Sequence, residues 1–359
     1  MAYNNPSMSE GRSVGIVGIE KFMPENALKV VIPMAGMGSR LRPHTWSKPK
    51  QLISLADSTV MGHVLNILKT LPPALEFEFI NIIGAMGDQL EAYFCEKFPD
   101  HPKHFVIQAN PKGQSHAIAM ARDYLHGPML MIFSDTLIET DLSFLGSEVA
   151  DIVAWVTPVP DPRSFGVAQV DADGKVIKII EKPDNIRNNL AVIGCYFFKR
   201  SEDLLSAIDE QIRRNIQFKG EFFLADAINV MLERGARARV QLADVWLDAG
   251  TPETILMANR YLLEHGHANS ESYPAFEGVT IVPPVYLGPN VEISESVIGP
   301  FASLGAGCKI ERSMIRDSII EPRAQVRGVI LDKSMVGRQA LVNGQPNIVN
   351  IGDNSAITV

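Results

Sequence analysis

Four cations, Arg40, Arg42, Lys48 and Lys50, crowd a glycine turn near the start of this chain. The stretch 29–50 reads KVVIPMAGMGSRLRPHTWSKPK, an apolar run leading into Gly36 and Gly38. Glycine lets a backbone approach an anion closely, and cationic groups fixed around such a turn suit a polyphosphate. On that chemistry Arg40 reaches the β- and γ-phosphates of a nucleotide. Lys50 reaches the α-phosphate region or an incoming phosphate, and Arg42 and Lys48 are supporting or surface residues. The spacing is neither the ATPase loop GxxxxGK followed by Ser or Thr nor the dinucleotide fingerprint GxGxxG, whose last glycine position holds Leu41. Hydride transfer loses its support accordingly.

Further along, Asp135 closes the apolar run MLMIFSD, where a carboxylate needs a cation or hydrogen-bond donors. Asp248 stands in VWLDAGTP, Glu181 and Lys182 in EKP, Gly166 in SFGVA, and Gly194 and Tyr196 in GCYFF. Taken singly each is weak: a glycine pair after a strand serves many turns, and Cys195 in an apolar strand is more often packed than nucleophilic.

In combination they resemble a known family. GMGSRLRPHTWSKPK is similar to the signature GxGxRLxPxTxxxPK of the sugar-1-phosphate nucleotidylyltransferases, which include glucose-1-phosphate thymidylyl- and uridylyltransferases. The resemblance covers roughly 28 to 265 and implies a triphosphate loop at Ala35, Gly36, Gly38 and Arg40, with Lys50 contacting phosphate. It implies a base-recognition segment at Gln108 and Gly113 in QANPKGQSHA, where a glutamine amide can pair with a pyrimidine edge. It also implies that Gly166, Glu181, Lys182, Gly194 and Tyr196 bind the sugar phosphate, that Asp135 and Asp248 hold one Mg²⁺, and that Arg40, Lys50, Asp135, Lys182 and Asp248 are catalytic. KGEFFLADAI resembles the family's GExxLTDxI, with Ala225 for its threonine, and makes Glu221 and Asp226 supporting candidates. Gly113-Gln114-Ser115-His116-Ala117 departs from the common Gly-Leu-Ala-Gln-Ala and Gly-Thr-Ala-His-Ala, which leaves thymine or uracil open.

The implied reaction is nucleotidyl transfer. A sugar-1-phosphate oxygen attacks the α-phosphorus of a nucleoside triphosphate, dTTP or UTP, in line with departing pyrophosphate. Glucose 1-phosphate is the expected acceptor. Because that phosphate is already ionised near neutral pH, His44 and His116 are not needed as bases, and loop geometry or a hydrogen bond explains them better.

Elements that position these residues follow from periodicity. Apolar runs at LKVVIP, FEFINIIGA, HFVIQA and MLMIFSD alternate with helical segments over 59–69, 87–98 and 115–125. That pattern predicts an α/β fold of Rossmann-like type, a mainly parallel sheet with helices on both faces and ligands beyond the strands' carboxyl ends. DIVAWVT, a hairpin turning at DADG, and AVIGCYFF add strands, followed by helices over 202–214, 223–234 and from Pro252 to about 263.

After 266 the period changes. Ile281, Leu287, Ile293, Ile298, Leu304, Ile310, Ile315, Ile320, Val326, Leu331, Val336 and Val342 recur at five or six residues, which reads as a hexapeptide-repeat left-handed parallel β-helix. About 18 residues per coil and three or four coils are expected. So short a stack needs packing on the rest of the chain or on another subunit, and a homo-oligomer is expected. The domain reading is a leader over 1–27 with one short strand at 14–19, a catalytic domain over 28–265, a linker over 266–278, the β-helix over 279–345 and a tail over 346–359.

Composition is that of a globular protein long enough for more than one domain: 359 residues, 46% apolar and 21% charged. A net charge of −8 disfavours a nucleic-acid surface, and no apolar run approaches a membrane span. Three scattered cysteines point to a reducing, cytoplasmic setting. Two other readings fit parts of the sequence. The chain could be a non-catalytic sensor or scaffold of this fold, or it could carry acyltransferase activity in the β-helix. No histidine after His267 serves the second.

Overall fold

The computed structural model describes residues 27–270 and 277–344. The strand expected at 14–19 and the tail at 346–359 lie outside them. The chain forms two compact units. One comprises the chain up to Gly38 together with Val64–Trp246, and the other Ser39–His63 together with the chain from Leu247 onward.

The first unit is built on a mixed nine-stranded sheet. Strand β1 (Leu28–Met34) lies parallel between β2 (Phe77–Ile83) and β4 (Met129–Ile132), and β3 (Lys103–Ile107) pairs in parallel with β2. β1 and β4 are apolar and buried almost throughout, as strands covered on both faces must be. Beyond β4 the sheet turns antiparallel. β5 (Ile152–Pro158), β6 (Gly166–Val170) and β4 all pair antiparallel with β8 (Leu190–Phe198). β7 (Val176–Glu181) forms a hairpin with β6, and β9 (Ala238–Leu242) lies parallel to β5. The hairpin turns at DADG: the Asp171 carboxylate accepts the Asp173 and Lys175 N–H groups, each at 3.0 Å, and Gly174 takes a φ of 78°.

Helices α1 (Gly87–Lys97), α2 (Gln114–Met120), α3 (Ser201–Arg213) and α4 (Leu224–Glu233) accompany the sheet. α3 presents Leu204, Leu205, Ala207 and Ile208 to a core shared with Leu224, Ile228 and Met231 of α4 and with Val31, Met131 and Phe198 of the sheet.

One detail differs from the sequence expectation. β4 ends at Ile132, so Asp135 stands in the turn that follows and not on the strand. The reason is local. The Phe133 N–H is taken by the Gly194 carbonyl at 2.8 Å, and the Thr136 N–H folds back to the Phe133 carbonyl. β8 has a register shift between Val192 and Tyr196, and at Gly194, with φ 80°, a Cβ would lie 2.4 Å from the Phe133 ring. Only glycine lets Phe133 pack there and deliver Asp135 to the loop.

The second unit contains a left-handed parallel β-helix of three four-stranded parallel sheets. Every aliphatic of the predicted repeat falls in register. Ile281, Ile298, Ile315 and Leu331 form one ladder, Leu287, Leu304, Ile320 and Val336 a second, and Ile293, Ile310, Val326 and Val342 the third. The coil is shorter than the expected 18 residues. Ile298 lies 17 residues from both Ile281 and Ile315 (298 − 281; 315 − 298), and Leu331 follows Ile315 by 16 (331 − 315). One side of each 17-residue coil, and two sides of the 16-residue coil, span five residues instead of six.

Chain from outside the repeat braces this stack. α5 (Pro252–Leu262) begins in a capping box of Thr251 and Thr254. Its buried Asn259 accepts the Ala56 N–H at 3.0 Å and the Ser303 hydroxyl at 2.7 Å, and donates to the Phe301 carbonyl. Arg260 pairs with Asp317 at 2.8 Å and stacks on the Phe301 ring. Among the described residues no helix is long and apolar enough to cross a membrane.

Candidate functional site

In the first unit, Gln108 follows β3 and is buried, and its amide lies 3.0 Å from Nδ1 of His116. With the amide donating, Nδ1 is a lone-pair acceptor and the imidazole is neutral. Burial, helped by Lys112, lowers the His116 pKa and favours that form. This is the hydrogen-bonding role expected of His116.

The sequence departures at 114–115 have a structural explanation. The Gln114 side-chain Oε1 accepts the first helical N–H of α4, from Leu224, at 3.1 Å, and the Ser115 hydroxyl donates to the Phe223 backbone carbonyl at 3.1 Å. The backbones are joined as well, Ser115 N–H to Phe222 O and Phe222 N–H to Lys112 O. At Gly113, with φ 96°, a Cβ would lie 2.5 Å from the Phe222 carbonyl oxygen. Gly113 therefore answers first to the 222–224 segment. Sequence reasoning credited it only with room for a base.

The same segment reaches the predicted sugar-phosphate residues. Lys182 stands just past β7 with φ 48°, its N–H bonded to the Phe165 carbonyl and its ammonium 5.3 Å from the centre of the Phe223 ring. A lysine in the left-handed region costs about 1 kcal/mol or more, a strain that positions an exposed cation. Glu181 is opposite Gly166 in the hairpin register, and its Oε2 is 3.1 Å from where a Gly166 Cβ would be. Burial raises the Glu181 pKa. Lys182 opposes the shift, and Asp226 and Glu221 reinforce it. Tyr196 lies in the core, its pKa raised chiefly by burial and secondarily by the Glu181 charge. Buried Cys195 has a thiol pushed up by burial, as a packed residue should.

In the second unit, Arg40 occupies a short 3₁₀ turn, Ser39–Leu41, and is exposed, while Leu41 beneath it is buried. Gly38, the last residue of the first unit, takes φ 59°, and a Cβ on Gly36 would meet nothing within 4 Å. Gly36 is thus free of packing demands. Asp248 ends the strand Val245–Asp248 and accepts the Gly250 N–H at 3.2 Å. A Cβ on Gly250 would lie 2.8 Å from an Arg40 guanidinium nitrogen and 3.2 Å from both Asp248 carboxylate oxygens. The structure therefore brings Arg40 and Asp248 to one face of a glycine that sequence analysis did not single out. Lys50 opens the turn Lys50–Leu52. Lys48, read as a supporting or surface residue, is buried and ion-paired with Glu321.

Asp135 and Asp248 offer oxygen donors, the chemistry Mg²⁺ requires. Among the described residues a different group, Asp57, His63 and His267, has ligand atoms within 4.8 Å of one another and could hold a metal. Two imidazoles suit a softer ion than magnesium. Hydrogen bonds already account for their approach: His63 Nε2 to the Leu55 carbonyl at 2.9 Å and His267 Nδ1 to Asp57 at 2.8 Å.

Comparison with known proteins shows the family. Residues 29–265 match the nucleotidyl transferase family. Over 91% of its length the chain is 26% identical to a glucose-1-phosphate thymidylyltransferase of Streptomyces griseus, covering 98% of that protein. It is 29% identical over 92% of its length to a low-salt glycan biosynthesis nucleotidyltransferase of Haloferax volcanii, covering 99%. A nucleoside-diphosphate-sugar pyrophosphorylase structure from Vibrio cholerae superimposes with a TM-score of 0.56 at 21% identity, over 64% of this chain and 98% of that one, a likeness of fold. A glycine-arginine signature, a Rossmann-like sheet and a family match running through both make this chain a member of the sugar-1-phosphate nucleotidylyltransferases, enzymes that join a nucleotide to a sugar 1-phosphate, here with a C-terminal left-handed β-helix.

Proposed function

We propose that the protein transfers the nucleotidyl group of dTTP or UTP to glucose 1-phosphate, releasing pyrophosphate. The observation that carries the reading is the convergence of Arg40 and Asp248 on Gly250, which sets a cation able to bind phosphate beside a carboxylate able to ligate a metal. Support for a pyrimidine comes from Gln108, whose amide is held by His116 while its remaining donor and acceptor stay available to a base edge. Support for glucose 1-phosphate comes from the near full-length Streptomyces griseus relative.

In this reading Ala35, Gly36 and Gly38 admit the triphosphate, Arg40 and Lys50 bind its phosphates, and Gly113 lines the base. Gly166, Glu181, Gly194 and Tyr196 shape the sugar subsite, and Lys182 binds the sugar phosphate. Asp135 and Asp248 are the ligands for Mg²⁺. When bound, that ion offsets repulsion between the two anionic substrates. Arg40 and Lys182 neutralise charge that moves during the in-line displacement. Glu181, whose raised pKa follows from burial, accepts sugar hydroxyls.

Pyrophosphate release with Mg²⁺, four nucleoside triphosphates and the 1-phosphates of glucose, N-acetylglucosamine, galactose and mannose tests the reading. We expect dTTP or UTP with glucose 1-phosphate to dominate. Asp135→Ala keeps the fold and loses about 100-fold in turnover, equivalent to about 3 kcal/mol of transition-state stabilisation. A flat response across the substrate pairs, or near-normal Asp135→Ala turnover, sinks it.

A further inference from the structure

We propose that Glu321 of the β-helix is a positioning residue for the nucleotide-phosphate segment, fixing the turn that carries Lys50. This inference rests on the phosphate role proposed above for Lys50.

The β-helix repeat itself marks Glu321 as unusual. Leu287, Leu304, Ile320 and Val336 stack in one ladder. The residues that follow them are Gly288, Gly305, Glu321 and Gly337. Three coils have glycine at this corner and one has a carboxylate. At Gly305 a Cβ would meet the Pro322 nitrogen at 2.6 Å and at Gly288 the Ala306 nitrogen at 2.6 Å, whereas at Gly337 it would meet only His44 at 3.9 Å, so packing against the next coil requires the smallest residue at the first two corners. Coil stability gives no reason for a glutamate.

Glu321 is 1% exposed, and its carboxylate is filled from the signature segment. Oε1 accepts the Ser54 N–H at 3.0 Å. Oε2 accepts the Lys48 ammonium and the Arg338 N–H, the latter at 3.1 Å. Lys48 and Ser54 bracket the turn Lys50–Leu52, so one carboxylate ties both ends of the Lys50 loop. The backbone of Glu321 is itself held by neighbouring coils, its N–H on the Val336 carbonyl at 2.9 Å and its carbonyl receiving the Cys308 thiol. A loop attached to such a point inherits the rigidity of the stack. Burial lowers the Lys48 pKa, but the adjacent Glu321 charge opposes that shift and supports the ammonium form.

Glu321→Gln keeps the size of the side chain and removes the charge, and Lys48→Met removes the partner. We expect either variant to raise KM for dTTP or UTP about tenfold, leave KM for glucose 1-phosphate within about twofold, and speed amide hydrogen exchange across 49–53. The double variant should be no worse than either single one, since both break the same link. Wild-type KM for nucleotide with wild-type exchange in a folded Glu321→Gln protein overturns the proposal, and so does an equal rise in both KM values. If Glu321→Gln fails to fold, Lys48→Met decides by the same readings. If the wild type turns over no substrate pair, the proposed function fails separately. Hydrogen exchange over 49–53 and calorimetric dTTP binding by the two variants then decide the role of Glu321.

Discussion

Lys48 and Lys182 both precede a proline and both belong to motifs of the same family, yet the two regions use them in opposite ways. Lys48 is buried, and its charge is neutralised by Glu321, whose carboxylate also accepts the Ser54 and Arg338 N–H groups. Lys182 is exposed, held at a strained φ by its own N–H bond and resting on Phe223. A buried cation fixes structure because removing either partner leaves an uncompensated charge. An exposed cation on a rigid backbone keeps its charge for a ligand. Sequence position within a motif therefore does not say which lysine stays exposed.

The largest test of that contrast exchanges the two losses. Lys182→Met should cost about 100-fold or more in kcat/KM with an unchanged melting temperature, whereas Lys48→Ala should destabilise the protein by about 3 kcal/mol. Pyrophosphate-release kinetics beside thermal melts separate them, and a Lys182→Met protein that melts early but turns over normally breaks the comparison.

Gly250→Ala comes next. The new methyl must displace Arg40 or Asp248. Turnover should fall about tenfold with little change in sugar-phosphate affinity, a shift of about 1.4 kcal/mol read from steady-state kinetics. Unchanged kcat would mean that the guanidinium is not held for catalysis.

The smallest effect concerns pH. The His116 pKa is lowered from its ordinary value of 6.5, by burial and then by Lys112, so the folded protein disfavours the imidazolium. As pH falls from about 6.5 through the lower folded value, the unfolded chain binds more protons and this contribution to stability declines. Protonation also removes the acceptor for Gln108. KM for nucleotide should rise a few-fold across that window, and His116→Gln should flatten the rise. A pH-independent KM in the wild type would remove His116 from base positioning.

Much of the fold was legible because its patterns are local and repetitive. The twelve aliphatics of the β-helix were readable in register, since each coil repeats one short-range geometry. Coil length was overestimated because five-residue and six-residue sides leave similar aliphatic spacing. The displacement of Asp135 from strand to turn was not legible, as it depends on Gly194 yielding space to Phe133 across the sheet. The Gln114-Ser115 departure carried no readable meaning until its partners at 223–224 were visible. Glu321 did leave a signal, a lone acid at a corner where the other coils have glycine.

The sequence by itself determined which reactive groups this chain carries and which family its signature resembles. A glycine turn with Arg40 and Lys50, the acids Asp135 and Asp248, and the Glu181-Lys182 pair supply cationic and oxygen-donor groups that covalent structure fixes before any fold forms. Tertiary structure alone decided which of those charges remain on offer. It buried Lys48 against Glu321, set Arg40 beside Asp248 over Gly250, and bound His116 to Gln108. The physical reason is distance. Pairing and desolvation fall off within a few ångströms, and residues 273 positions apart, as Lys48 and Glu321 are, meet only when the chain has folded.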